Sequence, residues 1–172
     1  MIEPFESKLP QIHPEAYIHA SAVLIGDVTV GRESSIWPQA VLRGDDASIV
    51  IGEQTSIQDG TIIHNTTNLS HTRIGNRVTV GHGVILHGCI VEDLCIIGMG
   101  AIILDNAVIE RGSIVGAGAL VAPGKRVAAG TVVVGNPAKV HRATNDADKQ
   151  AIEFGWQEYV KRTREYRARD GG

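Results

Sequence analysis

His64, His82 and His87 stand 18 and 5 residues apart in a chain of 172. Neutral imidazole is the commonest metal ligand, and three of them with an open fourth position make the donor set of a catalytic zinc site. Groups able to orient ligands or pair across an interface lie close by in the chain. Gln58 and Asp59 precede Gly60-Thr61-Ile62-Ile63-His64, and Arg43-Gly44-Asp45 lies further upstream. Scattered histidines mean little by themselves. These three gain meaning from the repeat in which they are set.

The repeat has a period of six. Aliphatic residues recur from Ile18 through Leu24, Val30 and Ile36 to Leu42. After three extra residues the series resumes at Ile51, Ile57 and Ile63, and after five more at Ile74, Val80 and Leu86. One residue is then dropped, and the series runs unbroken from Val91 to Val133. A period of six held over so many positions is the mark of a parallel β-helix, in which each hexapeptide forms a short strand and a corner. A single coil cannot bury its aliphatic face, but stacked coils bury one another's. Ordinary hairpins would instead show two-residue turns at irregular spacing. Met1 to His13 reads as an irregular lead-in, broken by prolines, and Gly135-Asn136-Pro137-Ala138 ends the repeat. Beyond it, Ile152, Trp156, Tyr159, Thr163 and Tyr166 fall at helical spacing. The expected organisation is a β-helix over residues 1–145 and an amphipathic helix over 146–172, packed on it or on a neighbouring subunit.

Composition agrees. Aromatics are only 4% of the residues and glycine numbers 20, so the core must be filled by layers of aliphatics. A net charge of −3 gives no reason to expect nucleic acid as a partner. No apolar run is long enough for a membrane span. The start of the chain carries Glu3 and Glu6 and no apolar segment of a signal peptide. Cys89 and Cys95 make no disulfide framework and suit packing in a narrow core. These features together predict a cytoplasmic protein with no membrane attachment.

The period places the histidines. With three hexapeptides to a coil, Ile63 and Leu86 lie on the same face of adjacent coils, so His64 and His87 occupy one outward position, stacked. Adjacent strands lie about 4.8 Å apart, close enough for two imidazoles to share an ion. His82 follows Val80 on another face. For all three to bind one ion it must come from a second subunit, and a three-faced prism suggests a closed ring of three. Arg43 falls one coil below His64. With Asp45 it can cross the interface as an ion pair, or simply hold subunits together. Asp59, one coil below His82, can orient a ligand or belong to the same network. Gln58 can meet water at the metal or cap a corner. His71 lies in the five-residue insertion and is a candidate proton carrier. His13, His19 and His141 stand outside the register.

At these residues the chain resembles the gamma-class carbonic anhydrase family. The motifs are Arg43-Gly44-Asp45, Gln58 to His64, Gly81 to Cys89, Ile97-Gly98-Met99-Gly100-Ala101 and Val134 to Val140. The resemblance implies an all-β fold, a left-handed parallel β-helix with a C-terminal α-helix. It implies a homotrimer with zinc (iron or cobalt as alternatives) at each interface, bound by His64 and His87 of one subunit and His82 of the next. It further implies Gln58 beside the metal's water, Asp59, Arg43 and Asp45 at the site and interface, and Tyr159 as an active-site tyrosine. The activity implied is reversible hydration of carbon dioxide to bicarbonate. Well-studied members carry an acidic loop that exports the proton; here the insertion Asn65 to Arg73 has no acid and Asp46 replaces a glutamate, which implies slow turnover. Two other readings of the scaffold are an acyl-CoA thioesterase or acyltransferase and a non-catalytic, metal-bearing trimeric assembly protein.

Overall fold

The computed structural model describes residues 1–170. The chain winds as a left-handed parallel β-helix with three faces, closed by one C-terminal helix. The first face stacks Leu24, Leu42, Ile63, Leu86 and Ile103 inward; the second stacks Val30, Ile51, Ile74, Val91 and Ile109; the third stacks Ile36, Ile57, Val80, Ile97 and Val115. All of them are buried. Each buried Leu or Ile contributes roughly 1.5–3 kcal/mol relative to an exposed one, so the column of layers carries the fold. The insertions leave this stack intact. Strand Val41–Ile51 bends around a corner, pairing at one end with Ile62–His64 and at the other with Thr72–Ile74. The extra residues bulge outward while the aliphatics keep their places.

Both ends of the repeat are more ordered than the sequence suggests. The lead-in supplies two short strands, Ile2–Glu3 and Gln11–Ile12, each parallel to a part of Val23–Val30. An open first coil would expose a row of unpaired amides and carbonyls, and these strands cover it. After the Gly135-to-Ala138 turn, Lys139–Ala143 returns antiparallel to Thr131–Val134.

The helix, α1 (Asp146–Arg169), begins with a capping box in which the Asn145 side chain accepts from the Asp148 amide and the Asp148 side chain accepts from the Asn145 amide. It lies along the third face. Ile152, Val160 and Thr163 are its buried residues, so Val160, which the spacing argument omits, belongs to the seam. Trp156 stays near the surface under the Arg77 guanidinium, 4.9 Å from the ring centre. Tyr159 and Tyr166 pack edge-on against Trp37 at 5.6 and 5.0 Å between ring centres. Arg164 reaches the nearly buried carboxylate of Glu33, which also accepts from Gln54 at 3.0 Å, and Gln54 in turn accepts from Arg77 at 3.0 Å. Glu33, Gln54 and Arg77 each hold a left-handed backbone at one corner of successive coils. Their side-chain ladder and the ion pair to the helix offset that strain.

Candidate metal centre

The first face has two edges, and the candidate residues divide between them. At the edge leading to the second face stand His64 and His87, in direct register on adjacent strands. The imidazoles approach with Nδ1 of His64 3.3 Å from Nε2 of His87. Their far nitrogens face acids. His64 Nε2 lies 3.2 Å from Asp45 and 2.9 Å from Asp46, and His87 Nδ1 lies 3.2 Å from both oxygens of Asp105. Arg43, on the same edge, donates to Asp45 within the chain. Within one chain, the two groups that the sequence offers for a contact across subunits pair with each other.

At the opposite edge, where the third face turns into the first, stands His82. It is followed by Gly83, whose φ of +65° turns the corner at no steric cost. Asp59 is one coil below, and its carboxylate accepts from His82 Nδ1 at 2.9 Å. The His82 side chain is 48% exposed, against 16% for His64 and 30% for His87. Gln58 is buried beside Asp59. Tyr159 arrives from the helix, and burial followed by the nearby Asp59 charge raises its phenol above the ordinary value. The five chain steps from His82 to His87 carry the chain past the Gly83 corner and across the first face, a separation of at most roughly 18 Å. Among the described residues the trio of metal-binding type with donor atoms within 4.8 Å is Asp45, Asp46 and His64, so the three histidines do not converge within one chain.

The donor chemistry suits a divalent ion. A carboxylate accepts hydrogen bonds and cannot donate, so an imidazole nitrogen facing one carries the proton. Carboxylates on the far nitrogens leave lone pairs on His64 Nδ1 and His87 Nε2, and these face each other. Two such lone pairs repel unless a proton or cation lies between them. Two ligands at about 2.0–2.1 Å across a tetrahedral angle stand roughly 3.3–3.4 Å apart, matching the observed separation. Metal-binding histidines regularly donate their second nitrogen to a carboxylate. Among the described residues, the histidines in contact with carboxylates are His64, His82 and His87. His19 Nδ1 instead meets Ser21, and His13 Nδ1 accepts from the Glu15 amide.

Several groups here lie beyond the motif reading. Asp105 stands one coil above Gly88, two residues after Ile103, so register arithmetic could have reached it. Burial pushes its carboxyl up, but hydrogen bonds from Ser70, Thr66 and His87 outweigh that and hold it below the usual range. Burial likewise pushes the Asp45 carboxyl up, and the hydrogen bond from Arg43 outweighs it and leaves the pKa lowered. Ser70 and Thr67 belong to the insertion and have no periodic signal. His71 turns instead toward a shallow groove of about 440 Å³ on the second face, with Arg73, Glu92 and Arg111. Cys89 and Cys95 are free and buried in the core, and burial pushes both thiols up to about 12.

Known proteins share this sequence and shape. A carbonic anhydrase from Geobacillus kaustophilus is 45% identical over 168 residues, covering 98% of this chain and 92% of its own. Gamma carbonic anhydrase 2, mitochondrial, of Arabidopsis thaliana is 43% identical over 158 residues, spanning 89% of this chain and 57% of the plant protein. The crystal structure of a Bacillus cereus protein named as an acetyltransferase aligns with a TM-score of 0.95 at 40% identity, over 97% of this chain and 96% of that one. No family model matches the chain.

Proposed function

The chain belongs to the gamma-class carbonic anhydrase family, and from that premise we propose that it is a metal-dependent lyase converting carbon dioxide and water to bicarbonate and a proton. The observation that carries the reading is the pairing of all three motif histidines, and of no other histidine among the described residues, with carboxylates. In this proposal His64 and His87 of one subunit and His82 of the next hold zinc, with iron or cobalt as alternatives. A divalent ion bound there supplies the acidification of water near neutral pH.

The chain's own groups do the rest. Asp59 holds the proton on His82 Nδ1, leaving Nε2 to reach across the interface. Asp45, Asp46 and Asp105 set the other two rings. Gln58 and Tyr159 stand on the His82 side, where they can orient water and carbon dioxide. Arg43 and Asp45 stand on the other side and brace the contact. Proton departure is the weak step. Asp46 already accepts from Thr67 and faces His64, and the insertion offers hydroxyls in place of acids.

A homotrimer fits the same geometry. Between the two edges, the outward positions of the first face are Ile62, Ile85, Ile102 and Leu120, an apolar column with Ile62 46% exposed and Met99 at the adjoining corner 61% exposed. Laying one subunit's His82 edge against the next one's His64 and His87 edge covers this column and closes as a ring. Among the described residues no helix is long and apolar enough to cross a membrane.

The test is metal content with stopped-flow hydration. About one zinc per chain is expected, with hydration abolished by chelation, restored by zinc and accelerated by imidazole buffer acting as the missing proton carrier. Protein that takes up no zinc overturns the site. The name of the Bacillus cereus neighbour supports a second reading, acyl transfer. It needs a base histidine and no metal, and acyl-CoA turnover unaffected by chelation would favour it.

A further inference from the structure

The five-residue insertion runs from Thr66 toward Arg73, beside the His64 and His87 edge. Its hydroxyls do not face outward at random. Ser70 Oγ donates to Asp105 Oδ1 at 2.5 Å. The Thr66 amide donates to that same Ser70 oxygen at 3.1 Å, which turns the hydroxyl proton toward Asp105. On the other side of the histidine pair, Thr67 Oγ1 donates to Asp46. Each of these carboxylates then faces the far nitrogen of one histidine, Asp105 that of His87 and Asp46 that of His64.

The base of the insertion is seated in the coil. Buried Asn65 donates to the Ala47 carbonyl at 2.9 Å and accepts from Thr72 Oγ1 at 2.7 Å. Thr72 Oγ1 also accepts from the Gly88 amide at 3.1 Å. Gly88 supplies an independent sign that this packing is built. A Cβ added there would stand 1.9 Å from Ser70 Oγ and 2.4 Å from Asp105 Oδ1. The residue after His87 must lack a side chain for Ser70 and Asp105 to meet beneath it.

We propose that Asp105 is the positioning residue that presents His87 to the metal through Nε2, and that the insertion serves as a clamp on this edge, with Ser70 holding Asp105. The proposal rests on the metal reading above for its consequence, and on hydrogen-bond chemistry for its cause. With Asp105 as acceptor, His87 carries its proton on Nδ1 and keeps the Nε2 lone pair toward His64. Without Asp105 the ring can rotate or change tautomer, and the lone pair is no longer held where the second ligand needs it. Outer carboxylates of this kind alter metal affinity by about 10–100-fold when removed.

The experiment uses the full chain with nitrogen-15 histidine. In metal-free protein His87 is expected to carry its proton on Nδ1. In Asp105→Asn the Ser70 hydroxyl keeps the amide oxygen as its acceptor, which turns the amide NH2 toward His87 Nδ1, so the His87 tautomer should shift to Nε2–H. Zinc affinity by chelator competition should fall about 10–100-fold, and the visible spectrum of cobalt-loaded protein should change. Asp105→Glu should recover part of both. Ser70→Ala should keep the tautomer and lose several-fold in affinity. An Asp105→Asn chain with unchanged tautomer and zinc affinity overturns the proposal. If Asp105→Asn fails to fold, Ser70→Ala decides the clamp, and wild-type affinity with a wild-type cobalt spectrum overturns it. Should wild-type protein bind neither zinc nor cobalt, the metal reading fails, while the tautomer measurement still decides the role of Asp105.

Discussion

A single atom's worth of space separates a working edge from a broken one at Gly88. Its φ of +59° lies in the left-handed region, and the room for its Cβ is already taken by Ser70 and Asp105. Gly112 is a useful contrast, because its φ of +69° is similar but a Cβ added there would have nothing within 4 Å. Both alanine variants should be destabilised by about 1–2 kcal/mol from backbone strain alone. Only Gly88→Ala should also displace Asp105 and weaken zinc binding. Urea midpoints with chelator competition check this, and equal zinc affinity in the two variants would show that the contact beneath His87 yields without consequence.

Among the elements, the helix is held at its start by local interactions. Its start depends on Asn145 and Asp148, and Arg142 donates to Asp148 from the strand before it. The Arg142 hydrogen bond, aided by the Asn145 amide, depresses the Asp148 carboxyl from 3.8 to about 2. For a depressed acid the linked stability is present above the unfolded value and lost as pH falls through the folded one. Helix anchoring should therefore weaken from about pH 4 down toward 2. Trp156 fluorescence reports on it, and Asp148→Asn should remove part of the change in that window, the rest belonging to the Glu33 carboxylate that Arg164 holds. Asn145→Ala should cost about 1 kcal/mol at neutral pH through loss of the cap. An unaltered urea midpoint would mean that the contacts of Trp37, Tyr159 and Tyr166 hold the helix without its cap.

At the scale of the whole molecule, the division of the histidines between two edges makes a prediction about mixing. A His82→Ala chain keeps His64 and His87, and a His64→Ala chain keeps His82. Neither alone has a complete set if the proposed ring forms. In a ring of three mixed at random in equal amounts, a given interface needs one chain type on each side in one order. About a quarter of the sites should then regain zinc. The chains must be co-expressed, since assembled rings need not exchange. Mixed assemblies of verified composition that hold no more zinc than either parent would place all three ligands in one chain.

Much of this molecule was legible in its sequence, because a β-helix repeats one local rule. The six-residue period puts Leu42, Ile63 and Leu86 in one inward column, and it stacks His64 under His87 despite the five-residue insertion. The same arithmetic separates His82 from that pair and sets it above Asp59. Other features obeyed no period. The lead-in shows no repeat, yet its strands satisfy the open edge of the first coil. Val160 enters the helix seam because the helix is set against a flat sheet face, which admits residues beside the narrow stripe that spacing suggests. Above all, Ser70 and Thr67 lie in an irregular loop and Asp46 in the bent strand Val41–Ile51, while Asp105 keeps the register but is far from the others in the chain. Their meeting around two imidazoles depends on where an outward bulge folds back, and a directional hydrogen bond between such groups is decided only when the coils are stacked.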